Sequence, residues 1–410
     1  MKKLARFAYH QVKNVAKLVI GRRVSIIPLV SMTLDGDDVD IARSWLDDQS
    51  RWLDESTVRE YEAAFRAWNG SRHAFAFMGG RAALSACIYS LDLGVGDEVI
   101  VPAYTCVVVA NAFNFARVTP VYADIELETY GLNVRDVETR ITHRTKAILL
   151  HHLYGLVCRD YEQILELAKS KGLKVIEDCA HATGATYRGI KVGNRGDVAF
   201  YSSERSKVFN TILGGVAITN DDDIAVRFKR YCEAAPKLDE CFVRNLLKNI
   251  SLDYYQFKHP YRWVLGELSE IRLDAPPIIS TTSEEVSGIR PLQYGARMPS
   301  PVAALGINQL KKVDVYNERR REQAKVWDGW CRLRGYEVPT VLPESVPVFL
   351  RYPVLVDPSV KRNPHSIRDE LGVEVGVWFV SHLHPARDEL VGFKEADYAV
   401  ERCINLPTIL

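Results

Sequence analysis

A chain of 410 residues, 47% hydrophobic and 26% charged, can bury a large core and is long enough for two or more lobes. Its net charge of +1 leaves no electrostatic footprint for nucleic acid, and no base-reading or zinc-finger pattern accompanies it. Eight cysteines without a CxxC pair argue against a disulfide scaffold or a thiolate zinc site and for a reducing cytosol, so no metal is expected.

Residues 1–38 read as a basic arm. Lys2, Lys3, Arg6, Lys13, Lys17, Arg22 and Arg23 all precede the first acid, Asp35. Leu4, Phe7, Val12, Val15 and Val19 recur near helical spacing, which predicts a basic amphipathic helix. Lys13 and Lys17 interrupt the apolar run, so it makes a poor signal peptide, and it is too polar to span a bilayer. A solvated helix packed on its own cytoplasmic protein is the simple expectation. Peripheral membrane contact through residues 1–30 and an organelle-targeting arm are the alternatives.

Residues 39–235 predict a large α/β domain. Val39 to Trp68 has a helical pattern, with Trp45, Val58, Tyr61 and Phe65 as packing residues. His73 to Met78 then reads as a strand, Gly79-Gly80 as a turn, and Arg81 to Leu91 as a helix. A glycine turn that feeds a helix N-terminus offers backbone N–H groups to a phosphate, although the same turn also serves as a plain connection. Arg81 favours an anion there, or else faces water. Further strands are expected at Val99–Val101, closed by Pro102, at Pro120–Ala123 and at Ala147–Leu150, with a helix at Tyr161–Ser170. Repeated strand, polar tip and helix predict a mostly parallel sheet covered by helices, with ligands at the carboxyl ends of the strands. Tyr104, Cys106, Asp124, His152, Asp178 and Ser202 fall near such ends.

Residues 236–300, rich in Tyr, Pro and Ser without a clean period, form an irregular insertion that would cover a site or extend an interface. Residues 301–410 predict a smaller domain. A long linking helix runs from Pro301 through Trp330, followed by a strand at Arg351–Val356, a helix at His365–Leu371 and a strand at Val373–Phe379. The closing apolar segment reads as a strand that stops abruptly at Ile409-Leu410, as if a terminal helix were missing.

The stretch GLKVIEDCAHATGATYRGIKVGNRGDVAFYSSERSKVFNTILGG, residues 172–215, carries the chemistry. One strand delivers Glu177 and Asp178, the next delivers Ser202, and Lys207 follows. Pyridoxal phosphate needs an amine that can become neutral, a carboxylate facing the pyridine nitrogen, donors on its phosphate, and a group over its ring. Lys207 and Asp178 can supply the first two, Ser202 and Gly80–Arg81–Ala82 the donors, and His181 the cover or a partner for the phenolic oxygen. Each alone has an ordinary reading, Lys207 as a surface lysine and His181 as a core or capping histidine; the case lies in their order.

With GGRAALSACI, GDEVIVPAYTCVVVANAF, VTPVYADIE, TKAILLHHLYG, VIEDCAHATGATYRG, GDVAFYSSERSK, NTILGGVAIT, RMPSPVAALGINQLKKVDVYNERRR and the closing INLP, the chain resembles the DegT/DnrJ/EryC1/StrS family of pyridoxal-phosphate-dependent sugar aminotransferases from about Asp40 to Leu406. The resemblance implies fold type I: a three-layer large domain with a mostly parallel sheet and a smaller C-terminal α/β domain. It implies Lys207 as the Schiff-base lysine, Asp178 as partner of the pyridine nitrogen, His181 near the phenolic oxygen, Ser202 as a phosphate ligand, and Gly80, Arg81 and Ala82 in the phosphate turn. It implies an amino donor such as glutamate, a keto-sugar nucleotide as acceptor, and a homodimer. Another pyridoxal-phosphate reaction on a sugar or cyclitol, and a non-catalytic scaffold, are the alternatives. Arg81 stands where the family commonly has Thr or Ser, and Cys106 where an aromatic stacks on the ring, with Tyr104 close enough in sequence to compensate. SSERSK and ILGG replace the usual runs around the lysine, and Gly295–Arg297 lacks the usual asparagine.

Overall fold

The computed structural model describes residues 26–30, 32–52, 54–259, 276, 278–279, 281–292, 294–386 and 390–409. The basic stretch before Ile26, and with it the predicted amphipathic helix, lies outside the described residues. Among the described residues no helix is long and apolar enough to cross a membrane.

The elements that place the site are, in chain order, α1 (Gly36–Asp47), α2 (Ser56–Asn69), β1 (His73–Phe77), α3 (Gly80–Ser90), β2 (Glu98–Pro102), α4 (Val107–Phe115), β3 (Thr119–Ala123), α5 (Val134–Arg140), β4 (Thr145–His151), α6 (Tyr161–Lys171), β5 (Lys174–Asp178), β6 (Val198–Ser202), β7 (Gly215–Thr219), α7 (Asp222–Ala234), α8 (Glu240–Asp253), the single turn α9 (Ser283–Val286), α10 (Ser300–Leu310), α11 (Val313–Arg332), β8 (Arg351–Leu355), α12 (His365–Leu371), α13 (Lys394–Arg402) and β9 (Cys403–Pro407). Seven strands form one sheet in the order β1-β7-β6-β5-β4-β2-β3. From β6 to β3 the neighbours are parallel, and β7 runs antiparallel to both β6 and β1. Parallel neighbours need crossovers, and α4 and α6 are two that cover the sheet.

Coverage on both faces explains why the strands are apolar runs rather than alternating ones. In β4 every residue except Lys146 is buried, and β6 is buried throughout. Helix α3 is buried on nearly every side, and its small residues Ala82, Ala83 and Ala86 let it lie close to β6 and β7. Gly172, at φ +66, ends α6 in a left-handed cap and turns the chain into β5.

The predicted strands and helices of the large domain stand where the pattern places them, within a residue or two. Val39–Trp68 is helical but divided, because the chain turns between α1 and α2. Three expectations downstream need correction. Within the irregular insertion, Glu240–Asp253 form helix α8, whose Val243, Leu246, Leu247 and Ile250 are buried, and which packs on α1. The long linking helix is two, α10 and α11, divided at Lys311-Lys312. The turn brings Lys312 Nζ to 2.6 Å from Asp38 and 2.8 Å from Asp37 at the start of α1. No Gly or Pro marks that break, so the apolar period runs through it. Residues 373–379 form no strand; their only β-bridges are the isolated pairs Ile27↔Val373 and Gly376↔Asn405 among the described residues. The small-domain sheet is instead the antiparallel pair β8–β9.

The turn ahead of α3 is set by a close backbone approach. A Cβ at Gly215 would lie 2.5 Å from the carbonyl carbon and oxygen of Gly79, and backbone cannot rotate away. We therefore expect Gly215→Ala to lower stability by about 1–3 kcal/mol. It should also weaken cofactor binding by opening the turn, read by thermal denaturation with and without added pyridoxal phosphate.

Candidate active site

A cavity of about 670 Å³ opens at the carboxyl end of the parallel strands. That is a volume suited to a small-molecule site. Gly80, Arg81, Ala82, Cys106, Asp178, His181, Ser202 and Lys207 all line it. Tyr104 and Asp124 do not. Tyr104 is fully buried, accepts from Phe379 N at 2.9 Å and donates to Trp378 O at 3.1 Å. Asp124 accepts from Glu395 N and Ala396 N and so caps α13.

Period-two alternation in β5 decides which of the paired acids reaches the cavity. Glu177 turns into the protein, accepting from Gly193 N at 2.7 Å, Gly196 N at 2.5 Å and Tyr161 Oη at 2.7 Å, with His152 Nε2 at 3.2 Å. His152, Glu177 and Cys179 cluster closely enough to suggest a metal. The carboxylate is nonetheless committed to these protein donors. Asp178 faces the cavity, where it accepts from Ala180 N at 2.9 Å. Burial pushes its carboxyl up to about 6, against the pull of that hydrogen bond and of Lys207.

Lys207 lies on the loop between β6 and β7, which other elements pin. Ser203 N donates to Gly214 O at 2.9 Å, Gln309 of α10 accepts from Asn210 N at 3.3 Å, and Arg320 of α11 donates to Val208 O at 2.5 Å. Ile212 takes φ +68 in that loop, a left-handed conformation costly for a β-branched residue. Its N–H donates to Asn210 Oδ1 at 2.7 Å, which helps to hold it there.

The amine of Lys207 is 3.0 Å from His181 Nε2, and Tyr154 N donates to His181 Nδ1 at 3.3 Å. A neutral imidazole that accepts at Nδ1 carries its proton on Nε2. That proton points at Lys207 Nζ, which must then accept, as only an uncharged amine can. Burial agrees with the geometry. It holds His181 well below and Lys207 below their ordinary values, and Lys207 is pulled back upward by Glu204, Cys106 and Asp178.

The phosphate side is equally local. The first intrahelical bond of α3 runs from Ala83 N to Gly79 O at 3.0 Å, so the N–H groups ahead of it belong to the helix's uncommitted first turn. A Cβ at Gly80 would lie 2.9 Å from that of Ser202, so only glycine lets the end of β6 stand beside this turn. Arg81 pairs with Glu285, an acid on α9 with 0% exposure, whose Oε1 has no hydrogen-bond partner among the described residues. Cys106 lies on the lining without stacking on any ring, and burial pushes its thiol up. The aromatic group stacked on His181 is Trp378, from the small domain, with centroids 5.5 Å apart and planes at 15°; Tyr154 lies tilted against the same imidazole. Arg297, of the atypical Gly295–Arg297 run, turns inward to Glu62 at 3.0 Å and Ala76 O at 3.1 Å.

Sequence reasoning missed Trp378 and Glu285. Trp378 lay in a segment read as a strand and Glu285 in one without a period, so neither carried a signal.

A buried acid, a lysine poised as a neutral amine, and a helix N-terminus whose glycine keeps the cradle open suit pyridoxal phosphate. Asp178 would face the pyridine nitrogen, Lys207 would carry the Schiff base, and Gly80–Ala82 with Ser202 would hold the phosphate. Comparisons agree. The model of the DegT/DnrJ/EryC1/StrS aminotransferase family matches residues 35–410. GDP-perosamine synthase from Caulobacter vibrioides is 40% identical over 403 residues, 94% of each chain. DesV from S. venezuelae, solved in complex with a ketimine intermediate, superposes with a TM-score of 0.70 over 93% of both chains at 26% identity. NtdA from Bacillus subtilis, with bound cofactor PMP, shares the fold with a TM-score of 0.70 over 94% of this chain and 81% of its own, at 20% identity.

Asp178 also leaves a signature in the cofactor-free protein. Its folded value near 6 stands above the unfolded 3.8, so the folded state binds more protons between them and loses stability as pH rises through that window. Asp178→Asn should remove this loss. We expect the apoprotein to gain up to about 3 kcal/mol at pH 7.5 and nothing near pH 3, measured by urea denaturation at both pH values. The same variant should bind pyridoxal phosphate more weakly.

Proposed function

Because the chain belongs to the DegT/DnrJ/EryC1/StrS aminotransferase family, whose cofactor is pyridoxal phosphate, we propose that it moves an amino group from glutamate to a keto group on a nucleotide-linked sugar. The observation that carries this reading is the Lys207–His181 contact at 3.0 Å, in a geometry that needs the amine uncharged. A non-catalytic scaffold has no use for a neutral, buried lysine facing a cofactor cavity. Similarity to GDP-perosamine synthase over nearly the whole chain supports a sugar nucleotide as acceptor.

Bound pyridoxal phosphate supplies the electron sink that makes the donor's α proton removable. The protein's residues do the rest. Asp178, kept dry, places a negative charge against the pyridine nitrogen and stabilises its protonated form. Lys207 would be the general base at Nζ that removes the α proton. In the second half-reaction the same Nζ would deliver a proton to the sugar carbon that bore the keto oxygen. His181 holds Lys207 in line without adding a second cation. Arg81, paired with Glu285 at the same turn, would be the cation available to the cofactor phosphate. The proposal includes a cytoplasmic homodimer, which the family resemblance supports.

Wild-type protein incubated with pyridoxal phosphate should show a visible absorbance band that borohydride abolishes, and Lys207→Ala should lack it and lose at least ~10³-fold in turnover. Glutamate should bleach the band of wild type while 2-oxoglutarate accumulates; a screen of GDP- and dTDP-linked keto-sugars then finds the acceptor. A colourless wild type would sink the enzyme reading.

Arg81 has a separate test. Arg81→Thr should raise the dissociation constant for pyridoxal phosphate by about 10–100-fold, the loss of one charge-assisted hydrogen bond, and Glu285→Gln should lower it. Fluorescence titration of the apoprotein reads both.

A further inference from the structure

Arg351, on β8, is 5% exposed, and among the described residues no carboxylate lies within ion-pair distance of it. One hydrogen bond, to Asn405 Oδ1 at 3.2 Å, holds the guanidinium, and its Nε has no partner among the described residues. A buried cation without an acid is costly, so its surroundings should repay the cost. Its guanidinium carbon lies 3.2 Å from the ring centroid of Trp378, a cation–π stack in a dry site. Trp378 is itself fixed by its backbone. Its carbonyl accepts from Tyr104 at 3.1 Å, from Asn405 Nδ2 at 3.0 Å and from Tyr154 Oη. The next carbonyl, of Phe379, accepts from Lys361 Nζ at 2.8 Å. The indole stacks on His181, and Lys207 Nζ is 5.5 Å from its centroid.

A continuous stack therefore leads from a small-domain cation, through an indole and an imidazole, to the amine of the large domain. We propose that Arg351 is a positioning residue for the Lys207–His181 pair, acting through Trp378 to seat the imidazole against the amine. The inference rests on the reading of Lys207 as the cofactor lysine.

Charge reaches the pair along the same path. Burial comes first in holding Lys207 low, Glu204, Cys106 and Asp178 oppose it, and Arg351 adds to it. For His181, burial, Lys207, Arg351 and His151 all act downward. Removing the cation should make Lys207 nitrogen easier to protonate, while the other groups stay as they are.

The test uses the holoenzyme and needs no sugar substrate. In Arg351→Gln, the pH midpoint of the visible band of bound pyridoxal phosphate should rise by about one pH unit, and the acidic limb of the single-turnover rate with glutamate should move with it. Arg351→Lys keeps the cation without the guanidinium on the indole, so it should hold the midpoint near that of wild type and lower the single-turnover rate with glutamate several-fold, with the glutamate dissociation constant unchanged. An unmoved midpoint in Arg351→Gln, or an Arg351→Lys profile identical to wild type, would overturn the proposal. Should Arg351→Gln not fold, Trp378→Phe must displace the midpoint instead, and a wild-type midpoint there overturns it equally. Loss of the Lys207-dependent band from wild type itself would instead refute the parent reading.

Discussion

The site depends on keeping an acid and an amine buried in one cavity without letting them become an ordinary salt bridge. Asp178 and Lys207 both line the cavity, yet no ion pair joins them. A direct pair would fix the amine as a cation and spend the carboxylate on it. Separation leaves Asp178 to a cationic heterocycle and lets burial act on both, raising the acid and lowering the amine.

Holding that separation takes much of the large domain. Asp178 is fixed because Glu177, its neighbour on β5, is locked into the opposite side by four backbone or hydroxyl donors and His152. Lys207 is fixed because its loop is tied to α10 and α11, helices that begin almost a hundred residues later. The left-handed Ile212 shows that this closure overrides local preference. His181 completes the arrangement from a third direction, receiving the N–H of Tyr154, another residue in the left-handed region, at φ +57.

The small domain enters through one over-determined peptide. Tyr104, read from sequence as an aromatic near the cofactor, instead helps to clamp the backbone that carries Trp378. An aromatic does reach the site, but from a segment with no periodic signal, fixed by hydrogen bonds rather than by a strand ladder. Arg81 shows a similar displacement of meaning. Its sequence context offered an anion or solvent, and the structure supplies an anion from within the chain, the buried carboxylate of Glu285.

What the sequence by itself determined was whatever short-range physics controls. Apolar runs buried on both faces must be strands of a covered sheet, and polar residues at their ends must gather along one rim. The order Asp178, His181, Ser202, Lys207 follows from that rim, as does the glycine turn before α3. Tertiary structure alone decided what depends on distant partners. The break at Lys311-Lys312 answers to acids at the start of α1, the course of residues 373–379 answers to Asn405 and Tyr104, and the pairing of Arg81 answers to a helical turn about two hundred residues away. None of these leaves a local period, because the force that fixes each acts between segments and not along one.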